Sequence, residues 1–254
     1  VGNATDGLEI SWMALNLRQG DEVICCSHTM LATASAIKVA GGIPIPVELG
    51  DDNLIDPDAV EDAITSRTVG IMPTQLNGRT CDMERIMQIA NKYKLYVVED
   101  AAQALGSKFK GKNAGTFGTA SAISFFPAKV LGCLGDAGGV LTNDPETFNK
   151  IYQLHDHGRD INGEVKSWGR NSRLDNLQAA FLKIRLKHFD EDIIRRREIA
   201  ALYDEGLSDI DKLYLPPSPT ENNEYFDVYQ NYELASENRD ELKEFLLQNG
   251  IDTI

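Results

Sequence analysis

The feature that most limits the fold of this chain is an alternation. From residue 1 to about 145, short apolar runs take turns with amphipathic stretches. EVICC (22–26), IPIPV (43–47), residues 69–72 and LYVV (95–98) have the length and composition of strands. The prolines of the second run limit its hydrogen bonding. Between these runs, residues 31–39 form a small-residue helix pattern stopped by Gly41-Gly42. Residues 56–64 open with Asp-Pro-Asp, which puts Pro57 in a first helical turn. Residues 83–93 place Met83, Ile86, Ile89 and Ala90 on one helical face. Continuous apolar strands separated by helices predict an α/β fold, a mostly parallel sheet sandwiched by helices. Two further short runs, 120–126 and 139–141, close this part.

Beyond residue 145 the character changes. Residues 145–155, 174–189 and 193–207 read as helices, followed by a turn-rich stretch at 216–223 and an alternating run at 228–234. A last helix, 237–249, has Leu242, Phe245 and Leu246 at helical spacing and Gly250 at its C-cap. The expected division is a large domain over 1–190 and the start of a smaller α+β domain over 191–254.

The 254 residues carry 25 Lys plus Arg against 39 Asp plus Glu, a net charge of −14. That balance argues against nucleic acid or an anionic membrane as the main partner, since both demand a basic surface. No stretch reaches the roughly 18 apolar residues that span a bilayer. The four cysteines contain no Cys-x-x-Cys pair, so a zinc site or disulfide framework is disfavoured and free thiols in a cytoplasmic protein are expected.

Three motifs fail on inspection. Gly106 to Asn113 fits the spacing of a P-loop but ends in Asn, without the hydroxyl that would bind magnesium, and reads as a basic surface turn. Gly132, Gly135, Gly138 and Gly139 have the wrong spacing for a dinucleotide fold. His155 and His157 are two residues apart, with no cluster of ligands near them, and no metal site is expected.

The informative segment lies between 95 and 143. LYVV ends in Glu99-Asp100, and an acid at the carboxyl end of a buried strand lies where α/β sheets bind ligands. Lys129 follows the next apolar run and precedes a glycine-rich turn, surroundings that can desolvate an amine and make it nucleophilic. An Asp and a Lys are what pyridoxal phosphate chemistry needs. The lysine forms a Schiff base with the aldehyde, and the acid keeps the pyridine nitrogen protonated. For the phosphate, the helix start at Gly2–Gly7, with Thr5, offers backbone N–H groups and a hydroxyl; Ser124 offers another. Thr5 or Asp6 could equally serve as a plain N-cap.

In this order, GNATDGL, GDEVI, EDAAQALG, SFFPAK, GDAGGVLTND, HGRD and NSRLDNLQAA, the chain resembles the DegT/DnrJ/EryC1/StrS family. Its members are sugar-nucleotide aminotransferases of the type I aspartate-aminotransferase fold. The resemblance implies pyridoxal 5'-phosphate held by Lys129 and by Asp100 at the pyridinium nitrogen. Gln103 would lie near the phenolic oxygen, and Ala4, Thr5 and Ser124 at the phosphate. It implies a homodimer whose site lies at the subunit interface, with Asn171 reaching the neighbour's phosphate and Arg173 beside it for substrate. Met30 stands where the family usually stacks an aromatic ring, and Gln75 where it has a histidine near the sugar pocket. One branch of the fold has His in place of the lysine and dehydrates its substrate; Lys129 places this chain with the aminotransferases. The expected reaction moves an amino group, from L-glutamate, to a keto carbon of a nucleotide-linked keto-deoxysugar. The alternatives are a keto-cyclitol substrate and a non-catalytic regulatory protein. Relatives also extend beyond both ends of this sequence, so the chain is expected to be the core of something longer.

Overall fold

A computed structural model describes residues 1–219 and 224–253. The first part of the chain runs α1 (Ala4–Ala14), β1 (Glu22–Cys26), α2 (Leu31–Val39), β2 (Ile43–Val47), α3 (Pro57–Asp62), β3 (Thr68–Met72), α4 (Met83–Tyr93) and β4 (Tyr96–Asp100). A hairpin of β5 (Lys108–Phe109) and β6 (Lys112–Asn113) leads to β7 (Ala120–Ser124), β8 (Gly138–Leu141) and α5 (Pro145–His155). Then come α6 (Asn176–Arg185), α7 (Phe189–Leu207), β9 (Leu213–Tyr214), β10 (Tyr225–Phe226), β11 (Ala235–Ser236) and α8 (Arg239–Gln248).

Six strands form one sheet in the order β2-β1-β3-β4-β7-β8, with every pair parallel except β7 and β8. The proline-bearing β2 takes an edge, where a missing N–H costs no ladder bond. Alternate residues of each strand feed opposite faces. On one face Ile24, Ile71 and Val97 pack with Val60 of α3 and Met83 and Ile86 of α4. On the other, Val23, Cys25, Met72 and Val98 pack with Leu8 and Trp12 of α1 and Ile37 of α2. The four cysteines are free and buried.

The false P-loop is the β5–β6 hairpin, whose turn residues Lys110 and Gly111 both have positive φ. Helix α1 is capped by neither Thr5 nor Asp6: the side chain of Asn3 accepts the Asp6 N–H at 2.8 Å, so the helix starts before either of them. The expected helix at 174–189 begins at Asn176 and passes through a 3-10 turn into α7. The alternating run at 228–234 forms no strand. Tyr229 has φ of 48°, which breaks an extended ladder, and Val228 to Gln230 are buried against the rest of the chain instead. Helix α8 forms as expected, yet none of its residues is buried; Phe245 and Leu247 are exposed. The turn-rich stretch at 216–223 lies partly outside the described residues.

Glu99, fully buried at the end of β4, ties a loop to the sheet. Its carboxylate accepts from the backbone N–H groups of Gly115 (2.7 Å), Phe117 (2.6 Å) and Gly118 (2.8 Å) and from the Gln75 amide (2.8 Å). Glu99→Leu would take the carboxylate away from all four donors and leave the three backbone N–H groups unpaired, and should lower stability by about 3 kcal/mol or more. Urea unfolding checks this, and a loss under about 1 kcal/mol would contradict the assigned role.

Candidate active site

Four neighbouring strands, β1, β3, β4 and β7, run parallel and end along one edge of the sheet. The antiparallel β8 starts at that same edge. The sequence-predicted residues gather there because of this order. Met30 and α2 follow β1, Thr74 follows β3, Asp100 ends β4, and Ser124 and Lys129 lie at and beyond the end of β7. Asp100 pairs in register with Ala122, which sets Ser124 just beyond it. Ser124 in turn faces Gly138 of β8. A Cβ on Gly138 would fall within 2.5 Å of the Asn3 carbonyl carbon and 2.8 Å of the Ala4 nitrogen. The bare glycine therefore lets the N-terminus of α1 dock against the strand, and that contact brings Ala4 and Thr5 to the edge occupied by Ser124.

Asp100 is buried, and both oxygens are engaged. Oδ2 accepts from Thr33 Oγ1 at 2.7 Å and Oδ1 from the Ala102 N–H at 3.2 Å. Thr33 stands in a chain of hydroxyls, with Thr29 Oγ1 2.7 Å from Thr33 Oγ1 and 2.9 Å from Thr74 Oγ1. Burial pushes the Asp100 carboxyl up, while the Thr33 and Ala102 hydrogen bonds and the charge of Lys129 oppose the rise. Burial likewise pushes the Lys129 ammonium down, and Asp100 pulls it partly back. The two groups thus hold each other's charge in a poorly solvated place.

Gln103 is fixed by the Asn77 N–H, which donates to its Oε1 at 2.8 Å. The Ser124 hydroxyl accepts the Phe126 N–H at 3.2 Å. Among the described residues the N–H groups of Ala4 and Thr5, in the first turn of α1, have no protein partner, which leaves them open to an anion. Met30, at the N-cap of α2, is 66% exposed at the mouth.

Three expected residues are not brought into this cluster. Gln75 is completely buried, with Nε2 on Glu99 and Met83 and Oε1 accepting the Cys81 N–H at 2.6 Å. Asn171 and Arg173 lie on an exposed segment; Arg173 Nη1 donates to Asp156 at 3.0 Å. Ser172 between them faces inward, accepting the Gly2 N–H at 2.9 Å and donating to Asp6 at 2.6 Å.

Sequence reasoning missed Thr33, Thr74 and Gln230. Gln230 reaches the Lys129 loop from 100 residues away, accepting from Val130 N and donating to Ala128 O. Thr33 had a faint signal, as a hydroxyl on an otherwise apolar small-residue helix; Gln230 had none.

The sequence model of the DegT/DnrJ/EryC1/StrS aminotransferase family matches residues 1–254. The chain belongs to this family. It is 39% identical over 255 residues to the dTDP-3-amino-3,4,6-trideoxy-alpha-D-glucose transaminase of Streptomyces venezuelae, covering 100% of this chain and 66% of that protein. It is 40% identical over 252 residues to the UDP-2-acetamido-2-deoxy-3-oxo-D-glucuronate aminotransferase of Pseudomonas aeruginosa, covering 99% of this chain and 69% of that one. The crystal structure of S. venezuelae DesV in complex with a ketimine intermediate superposes with a TM-score of 0.93 at 38% identity, over 99% of this chain and 67% of that one. The chain thus spans about two thirds of the length of these relatives, and it shares its fold with this aminotransferase family.

The opposed effects of burial and charge at Lys129 give a signed prediction. In cofactor-free protein, acetic anhydride labelling of Lys129 should have a pH midpoint below the 10.5 of an ordinary lysine. Asp100 favours the charged ammonium, so Asp100→Asn should move the midpoint further down. A midpoint at the ordinary value, or an upward shift in the variant, would contradict the pairing.

Proposed function

We propose that this chain forms the cofactor-binding core of an aminotransferase that uses pyridoxal 5'-phosphate. It delivers an amino group, from L-glutamate, to the keto carbon of a nucleotide-linked keto-deoxysugar. The observation that carries the reading is the buried Asp100, oriented by Thr33 and coupled to Lys129, at the strand edge shared with Ser124 and the α1 N-terminus. This donor set fits the cofactor: a carboxylate for a protonated ring nitrogen, an amine for an aldehyde, and N–H groups with a hydroxyl for a phosphate. When bound, pyridoxal phosphate supplies the aldehyde and an aromatic ring that withdraws electrons from the substrate carbon.

The protein's part follows from its own groups. Asp100 holds a proton at the ring nitrogen. Lys129, its ammonium pushed down by burial, presents a neutral amine more readily than an exposed lysine does, and then carries protons between cofactor and substrate carbons as general base and acid. Ala4 and Thr5, with Ser124, would hold the phosphate, Gln103 would lie beside the ring, and Met30 would offer a thioether to pack against it.

The homodimer belongs to the same proposal. Asn171 and Arg173 sit on an exposed segment that also carries Trp168, 93% exposed, with Ile161 and Val165 exposed nearby. Such an apolar patch beside exposed polar groups suits a subunit contact. Through it Asn171 would reach the partner's phosphate and Arg173 the nucleotide's. Division of the chain near residue 190 and a cytoplasmic setting complete the proposal; no described helix is long and apolar enough to cross a membrane.

Two measurements test this reading. With glutamate and a panel of nucleotide-linked keto-sugars and keto-cyclitols, the protein should aminate a nucleotide-linked sugar. Lys129→Ala should lower turnover by on the order of 10⁴ or more, because it removes both nucleophile and proton carrier. Amination of free cyclitols alone would favour the alternative substrate, and an unaltered biological effect of Lys129→Ala would favour a regulatory role. For the interface, inactive Lys129→Ala and Asn171→Asp proteins, mixed and allowed to exchange subunits, should regain roughly a quarter of wild-type activity. No recovery would place both residues of a site on one subunit.

A further inference from the structure

The loop that presents Lys129 is closed at its base by local bonds. Lys129 N donates to Phe126 O at 2.9 Å, and Cys133 N to Phe125 O at 2.9 Å. At its apex the loop is bonded by a distant side chain, Gln230. Gln230 Oε1 accepts from Val130 N at 2.9 Å, and Gln230 Nε2 donates to Ala128 O at 2.8 Å. Those two atoms belong to the peptide units on either side of the Lys129 Cα. Fixing both planes fixes φ and ψ of Lys129, and with them the direction of its Cα–Cβ bond.

Gln230 is itself held. It is buried, and the close approach of Gly78, where a Cβ would come within 2.7 Å of Gln230 N, seats its backbone. Val228 N donates to Gly78 O at 2.9 Å. From α7, Arg196 Nη1 donates to the carbonyls of Tyr229 (3.1 Å) and Gln230 (3.2 Å). The adjoining Asn231 donates to Asn77 Oδ1 at 2.9 Å, and Asn77 N donates to Gln103. One segment therefore steadies two residues of the site.

We propose that Gln230 is a positioning residue, which sets the direction in which Lys129 leaves its loop and so the angle at which the amine meets the carbonyl it attacks. The inference rests on the reading of Lys129 as the amine of a pyridoxal phosphate enzyme. A carboxamide suits the place because it donates and accepts at once. Glutamate can only accept, and leucine can do neither. With leucine, the Ala128 carbonyl and the Val130 N–H lose their partner, and the loop has reason to move.

The test compares wild type, Gln230→Leu and Gln230→Glu. Cofactor-free protein is mixed with pyridoxal phosphate, and the covalent lysine adduct is followed by its absorbance and by the pH midpoint of its protonation. Circular dichroism confirms the fold. Gln230→Leu should slow adduct formation about tenfold or more, as expected for misplaced reactants, and shift the midpoint by about half a unit. Gln230→Glu should fall between it and wild type, and it carries the test if the leucine variant does not fold. Variants that form the adduct at the wild-type rate with the wild-type midpoint would overturn the proposal. If wild type forms no adduct, the cofactor reading fails instead. Anhydride labelling of Lys129 in cofactor-free protein then decides for Gln230 alone: an altered labelling rate in the variants supports its role, and an unchanged rate overturns it.

Discussion

A carboxylate placed at the end of a central strand and hidden from water costs several kcal/mol unless its oxygens are matched. Asp100 meets that demand with the Thr33 hydroxyl, the Ala102 N–H and the charge of Lys129. Each partner comes from a different element. Thr33 is buried in α2, so the helix after β1 must pack with that face toward β4. Lys129 must return over the end of β7. The arrangement of the site is in large part the set of positions that makes this one buried acid tolerable.

The adjacent acid does the opposite job. Successive residues of a strand point to opposite faces, so Asp100 faces the hydroxyls near α2 while Glu99 faces Gln75 and the loop at 115–118. One carboxylate is left with a coupling to a titratable amine, and the other is saturated by fixed donors. The pair Glu99-Asp100 therefore separates a chemical role from a structural one within a single strand end. It also accounts for Gln75, which stands beside the site in sequence order but belongs to the structural side.

Much of the fold was legible in the sequence, because it rests on local signals. Helix α4 has the predicted bounds and the predicted buried face, Met83, Ile86, Ile89 and Ala90. Helix α5 has the predicted bounds, opened by Asp144 and Pro145. Strands β1 and β2 were equally plain. What failed was set by tertiary packing. The run at 228–234 alternates along the chain, but its backbone turns at Tyr229 and its Gln230 bonds the Lys129 loop. The convergence of Asp100, Ser124 and Lys129 at one edge of the sheet could be expected from strand ends and a glycine-rich turn. Gln230 could not, because nothing within its neighbourhood in the chain announces a bond to Ala128 and Val130.

The central claim is that Lys129 is the amine that meets the cofactor. It is tested most directly by loading the protein with pyridoxal phosphate, reducing with borohydride, and locating the labelled peptide by mass spectrometry. A single pyridoxyl label on Lys129, lost in Lys129→Ala, is the expected result. A protein that takes no label, or one labelled on another lysine with Lys129 untouched, would contradict it.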